Sequence, residues 1–297
     1  MPFSTTPLND GNAIPQIAFG TAVANKGKDV FGQIEQAIET GFWHIDTAQS
    51  YKTEESVGDA IRESGLARKD LYITTKFSGL SEIEEAIQTS LKQIGVSYVD
   101  LYLVHHPRHI KDDFAGGWAK IEQIKAQGLA KSIGVSNFTV NDLQTLLKTA
   151  KVTPAVNQIS FHPYNYQQNK SLLEFSAKNG IVIEGYNPLT SITRFPGGPV
   201  DKAVQVAADR LGVSPAQVLL SWVKSKGVVI VTTSSKKSRL EEYLAVGDLP
   251  SLLPEEIAAI EEAGAQGPSV QLIQRIKGRA IPLIGLCLVA AAVRWLV

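Results

Sequence analysis

The sequence predicts an α/β protein: a closed (β/α)8 barrel with an N-terminal β-hairpin and extra C-terminal helices. Three observations carry that expectation. Short apolar, β-branched runs alternate with amphipathic stretches from about residue 17 onward, and the strand candidates number eight, the count of a closed parallel barrel. No GxGxxG follows any of them, which disfavours the competing open doubly wound sheet. A chain of 297 residues is long enough for one barrel, which typically takes ~250.

Taken in order, residues 3–16 hold two apolar patches around Asn9-Asp10-Gly11-Asn12. Asp-Gly between such runs signals a hairpin, placed to close the bottom of a barrel. The strand candidates IAFGTA (17–22), HIDTA (44–48) and LYITTKF (71–77) precede the helical patterns DVFGQIEQAIETG, EESVGDAIRESG and SEIEEAIQTSLKQIG. In the last, Ile83, Ile87, Leu91 and Ile94 recur at helical spacing and bury one face. Ser81 followed by Glu84 reads as a capping box. VDLYLVHH (99–106), AKSIGVSN (130–137), AVNQI (155–159), IVIEGYN (181–187) and VVIVTT (228–233) continue the alternation. Gly41, Gly65, Gly95 and Gly180 stand where helices should end in the left-handed conformation. Segment 235–266 carries two more helical patterns, and no repeat in the solenoid range is evident. The barrel is expected to occupy 1–267, with 268–297 as a distinct tail.

Composition narrows the function. Hydrophobic residues make up 44% and charged residues 20%, values of a globular chain with a sizeable core. Basic and acidic residues balance at 29 each, so nothing in the global charge attracts nucleic acid. The single cysteine, Cys287, excludes an internal disulfide framework and suits a reducing compartment. The N-terminus lacks a basic stretch followed by an apolar run, so no secretory signal is expected and the cytoplasm is the expected location.

Four polar residues fall at or just past strand ends: Asp46 and Tyr51, Lys76, and His105. A lysine ammonium beside a phenol stabilises the phenolate, a carboxylate holds the lysine, and a neutral histidine orients a carbonyl. Such a set protonates a carbonyl oxygen and points to a reductase. Taken singly, Asp46 could cap the next helix, Tyr51 could be a surface aromatic, and the pair His105-His106 could bind a metal. No Cys or acidic partner lies at ligand spacing for the last. An unpaired Lys76 at the end of a buried strand would be costly.

The chain resembles the aldo-keto reductases. The resemblance covers roughly residues 7–266 and rests on GFWHIDTAQSYKTEESVG, the lysine in ITTKF, LYLVHHP, GLAKSIGVSNF, VNQISFHPYN, GYNPL and TTSSKKSRLEEY. Together these motifs are highly specific. Trp43 departs from the pattern, which commonly has arginine there, with little expected effect on chemistry. The resemblance implies that Tyr51 is the general acid, Lys76 lowers its pKa while paired with Asp46, and His105 orients the substrate. It implies a nicotinamide cofactor, its ring on Tyr186 and its carboxamide on Ser136, Asn137 and Gln158, with Asn187 and Leu189 of GYNPL beside it. No metal is called for. After the last strand, Ser234 and Arg239 match a 2′-phosphate cluster and Glu242 an adenine contact, but Thr233 occupies a lysine position and Tyr243 replaces an asparagine. Lys236 and Lys237 could add charge or be a solvated face. The expectation is NADPH, with NADH as the alternative.

Ala22, Ser78 and His106 stand where the aldose-reductase-like members have tryptophans. The mouth should be wider and more polar, as in fungal-type ketoreductases acting on α-keto esters, α-keto amides and diketones, with His106 as a second donor to a vicinal dicarbonyl. A monomer or weak dimer is expected. Residues 268–297 depart from the family. The uncharged run 281–293, with Arg275, Lys277 and Arg279 before it and Trp295 near its end, suits a membrane anchor, an interfacial helix or a helix packed on the barrel. That tail alone favours a second class, a cofactor-binding, non-catalytic barrel serving a membrane partner, as in the potassium-channel β-subunit relatives.

Overall fold

The structure, a computed structural model, describes residues 3–22 and 30–268. Strands β1 (Thr5–Pro7) and β2 (Ala13–Pro15) pair antiparallel as the expected hairpin, with Gly11 turning at φ 84°. Then follow β3 (Ile17–Gly20), β4 (His44–Asp46), β5 (Tyr72–Phe77), β6 (Val99–Val104), β7 (Ala130–Ser136), β8 (Val156–Ser160), β9 (Val182–Tyr186) and β10 (Val229–Thr232). They form a closed barrel in the order β10-β3-β4-β5-β6-β7-β8-β9, every pair parallel. All eight strand candidates are therefore barrel strands, several shorter than expected. At two of them the reason is visible. Asn137 and Asn187 adopt φ of 63° and 59°, left-handed values that asparagine tolerates and a strand does not.

The helices are α1 (Phe31–Thr40), α2 (Glu54–Glu63), α3 (Ile83–Ile94), α4 (Phe114–Ala126), α5 (Val140–Leu147), α6 (Pro163–Lys178), the single turn α7 (Thr190–Thr193), α8 (Pro199–Leu211), α9 (Pro215–Ser225), α10 (Lys237–Ala245) and α11 (Pro254–Ala265). Ile83, Ile87, Leu91 and Ile94 are buried as their spacing required. Gly41, Gly65, Gly95 and Gly180 all have positive φ at helix ends. The capping box at Ser81 does not form. Helix α3 starts at Ile83 with Glu82 as its cap residue, one position too late for a Ser81–Glu84 pair, and Ser81 Oγ reaches only the Glu82 carbonyl at 3.4 Å. Reciprocal caps do form at Thr139–Asp142 and Ser214–Gln217.

Strand alternation sorts the side chains. On β5, Ile73 and Phe77 belong to the large core beneath the helices, while Thr74 and Lys76 take part in the polar contacts inside the barrel. Leu8 and Ile14 of the hairpin pack with Leu101, Leu103, Val156 and Val229 as a second apolar cluster. Asn9 donates to the Pro154 carbonyl and Asn12 to Ser132 Oγ, tying the hairpin to the starts of β8 and β7. The barrel is thus closed at its amino end. Trp43 is 43% exposed just before β4, at that same end. Among the described residues no helix is long and apolar enough to cross a membrane. The tail, including Cys287 and the run 281–293, lies outside the described residues.

Candidate active site

The polar set sits at the carboxyl ends of the strands, where loops rather than packing dictate side-chain choice. Lys76 is fully buried, and its Nζ donates to Asp46 Oδ1 at 2.6 Å and to the Thr47 carbonyl at 2.8 Å. Asp46 is therefore a partner of Lys76 rather than a helix cap. Burial alone would lower the lysine pKa, but Asp46, Tyr51 and Glu184 hold it above the ordinary value.

Tyr51 comes from a 3-10 turn, Gln49–Tyr51, that follows β4. Its hydroxyl lies 3.4 Å from His105 Nε2, and Lys76 Nζ sits 5.1 Å from its ring centre. Lys76 pulls the Tyr51 pKa down, as expected, but a larger opposing effect sets the net direction. Burial pushes the phenol up, and this outweighs the downward pull of Lys76, with Asp46 adding to the rise. Tyr51 therefore holds its proton at neutral pH. His105, next after β6, is pushed down to about 3, first by burial and then by Lys76. At neutral pH the imidazole is therefore uncharged. Among the described residues no group of three or more His, Cys, Asp or Glu is placed to hold a metal.

Two residues outside the expected set join it. Glu184 on β9 is fully buried, and Gln158 Nε2 bridges it to Asp46, at 2.8 Å to each carboxylate. Burial, then the Asp46 charge, pushes the Glu184 carboxyl well above the usual range. One lysine thus faces two carboxylates, and a proton on Glu184 removes the excess charge. His44 Nε2, bonded to Thr74 Oγ1 at 2.8 Å, lies 3.9 Å from Glu184. The signal for Glu184 was present, a lone acid inside the apolar run IVIEGYN.

A cavity of about 570 Å³ opens above this set. Asp46, Tyr51, His105, Asn137 and Tyr186 line its floor end, and Asn187, Leu189, Thr233 and Arg239 line it further out. Arg194 and Tyr243 line it as well. Leu189, Arg239 and Tyr243 also line a second, adjoining hollow that includes Glu242. Tyr186 Oη donates to Asn137 Oδ1 at 2.7 Å, and Asn137 Nδ2 donates to the His105 carbonyl and to Ser136 Oγ. Ser136 and Gln158 lie behind this wall: Ser136 Oγ donates to the Gln158 carbonyl, and the Gln158 amide is spent on the carboxylates. Ser234 Oγ accepts from Lys236 N, and Glu242 accepts from Ser214 Oγ. Of the three residues expected at the mouth, Ala22 lines the cavity and Ser78 and His106 do not. Ser78 turns onto His105, and His106 Nδ1 accepts from Arg108 N, capping a short turn.

The cavity lining joins the Tyr186 ring and the Tyr51 phenol with two arginines, Arg194 and Arg239, a set suited to an anionic ligand that carries a planar ring. A parallel barrel with its polar centre at the carboxyl ends is the frame of a TIM-barrel enzyme. Residues 16–265 match the model of the Aldo/keto reductase family, and the chain belongs to that family. It is 41% identical over 240 residues to an NAD/NADP-dependent indole-3-acetaldehyde reductase of Schizosaccharomyces pombe, covering 78% of this chain and 84% of that protein. It is 36% identical to methylglyoxal reductase DkgA of Salmonella typhimurium, covering 88% and 94%. The crystal structure of a Bombyx mori aldo-keto reductase in complex with NADP matches with a TM-score of 0.79 at 31% identity, covering 88% and 92%.

Proposed function

We propose that the protein reduces aldehydes and ketones to alcohols with NADPH, Tyr51 giving the proton. The observation that carries this reading is the convergence of the Tyr51 hydroxyl and His105 Nε2, with Lys76 clamped by Asp46 behind them. A bound nicotinamide supplies the hydride. Tyr186 offers its ring face to the nicotinamide and Asn137 meets the carboxamide, with Ser136 and Gln158 fixing Asn137 and Asp46 from behind. Arg239, Thr233 and Ser234 take the phosphate end, joined by Arg194, while Asn187 and Leu189 line the path and Glu242 lies toward the adenine. Tyr51 donates to the carbonyl oxygen as negative charge develops there, Lys76 stabilises the phenolate left behind, and His105 holds the oxygen in place. Thr233 in a lysine position leaves Arg239 as the nearest matched cation, so NADPH is favoured and NADH is accepted.

The favoured substrates are α-dicarbonyls and α-keto esters or amides. The likeness to a methylglyoxal reductase supports this, since methylglyoxal is itself a vicinal dicarbonyl. With its Nδ1 accepting from a backbone amide, neutral His106 carries its proton on Nε2, and since it stands outside the cavity lining it reaches only a second carbonyl that extends past that lining. The non-catalytic, membrane-serving reading rests only on the tail and has no support among the described residues. Loss of NADPH with a diketone, an α-keto ester and an aldehyde panel tests the activity. Tyr51→Phe should abolish turnover while retaining NADPH binding, and persistent turnover would mean that Tyr51 is not the acid. His106→Ala should lower activity on diketones relative to simple aldehydes; equal effects on both would remove His106 from substrate choice.

A further inference from the structure

The back of His105 is as closely organised as its front. Ser78 Oγ lies 3.0 Å from His105 Nδ1, and Ser50 Oγ lies 3.3 Å from the same nitrogen. Nε2, on the other edge of the ring, faces the Tyr51 hydroxyl. A neutral imidazole carries one proton, so two tautomers compete, and the partner of one nitrogen decides what the other presents. Ser78 is held from two sides: its backbone N–H donates to Gln49 Oε1 at 3.3 Å, and its hydroxyl oxygen accepts from Ser50 N at 3.2 Å. The hydroxyl proton then has two acceptors in reach, Nδ1 at 3.0 Å and the Lys76 carbonyl at 3.4 Å. The contact to Nδ1 is the shorter of the two, and both the Ser78 and the Ser50 hydroxyls lie within donating reach of that one atom.

We infer that Ser78, backed by Ser50, is a positioning residue that holds His105 as its Nε2–H tautomer. His105 N–H and Tyr51 O–H then both point as donors at one carbonyl oxygen. In the opposite tautomer, Nε2 would accept from Tyr51, and the proton meant for the substrate would be directed at the imidazole instead. This rests on the reading of Tyr51 as proton donor, and it gives Ser78 a part in turnover distinct from shaping the mouth.

The test is 15N–1H correlation of histidine-labelled full-length protein, with the His105 signals assigned by their absence in His105→Gln among the five histidines. The wild type should show a protonated Nε2 and an unprotonated Nδ1. Ser50→Ala/Ser78→Ala should move His105 toward a mixture or the other tautomer and lower kcat by about tenfold, the worth of one hydrogen bond. Ser78→Thr, which keeps the hydroxyl, should restore both. A wild-type protein with the proton on Nδ1, or an unchanged His105 pattern in the double variant, overturns the inference. Because the tautomer is read without turnover, a protein that reduces no carbonyl would fail the functional reading while the spectrum still decides this one. If the double variant does not fold, the single Ser78→Ala variant and the wild-type spectrum still decide it.

Discussion

Tyr51 and His105 owe their protonation states to burial more than to their neighbours, and that sets a pH profile. On the proposed mechanism, reduction needs the phenol protonated and the imidazole neutral. Tyr51 is raised above its ordinary value of 10.0, and His105 is lowered to about 3. The rate of carbonyl reduction should therefore stay flat from about pH 5 to about pH 9, with neither limb of a bell inside that window. A loss of rate near the ordinary histidine pKa, measured as kcat against pH, would show that His105 titrates normally and that its burial is weaker than the structure gives. At the proposed phosphate end, Thr233→Lys should raise the preference for NADPH over NADH by about tenfold, a low value for a charge-assisted hydrogen bond at an exposed position. The ratio of the two Kd values checks it. The cluster of four was legible because unlike polar groups closed three apolar runs, two of them at or after the end of β4. Arg194 was not, since one arginine in a loop has no pattern, and neither was Ser50, a serine like any other until its oxygen is seen against Nδ1.

Elements were easier to foresee than their ends. Period and glycine placement identified strands and helices, whereas the start of α3 shifted by one residue and undid a cap that the residue types allowed. Thr139–Asp142 satisfies the same rule at α5 because its register lands correctly. Thr139→Ala should cost about 1 kcal/mol in denaturant unfolding, the usual value of a lost cap. Helix α11 packs on α6 through Gly264, where an added Cβ would stand 2.4 Å from the Pro163 carbonyl oxygen. That oxygen belongs to backbone and cannot swing aside. Gly264→Ala should destabilise by about 1–3 kcal/mol through overpacking, seen as a lower urea midpoint. The sequence marked Gly264 only as a small residue inside a helical run; its necessity comes from a partner about a hundred residues away in the chain.

For the whole molecule, three histidines folded in their neutral form govern acid stability. Burial pushes His44 and His105 down to about 3 and His162 to about 4, from an ordinary 6.5. The folded state binds fewer protons than the unfolded one over that interval, so stability is full above pH 6.5 and is lost as pH falls toward the folded values. Each histidine contributes roughly 1.4 kcal/mol per pH unit within its window. Glu184 opposes them, since its raised carboxyl favours the folded state as pH falls. The urea midpoint should therefore drop between pH 6.5 and pH 4, less steeply than three histidines alone would give. His162→Gln should reduce that slope without touching the tetrad. The hairpin packed under the strands has a different consequence. With Ile14 packed at the lower end, the hollow seen among the described residues opens at the carboxyl end, so on the proposed function cofactor, carbonyl, alcohol and the proton that restores Tyr51 all pass that way. A bulky ligand lodged beside Ala22 would starve the centre of water-borne protons as well as of reactants, without ever reaching the residues that do the chemistry.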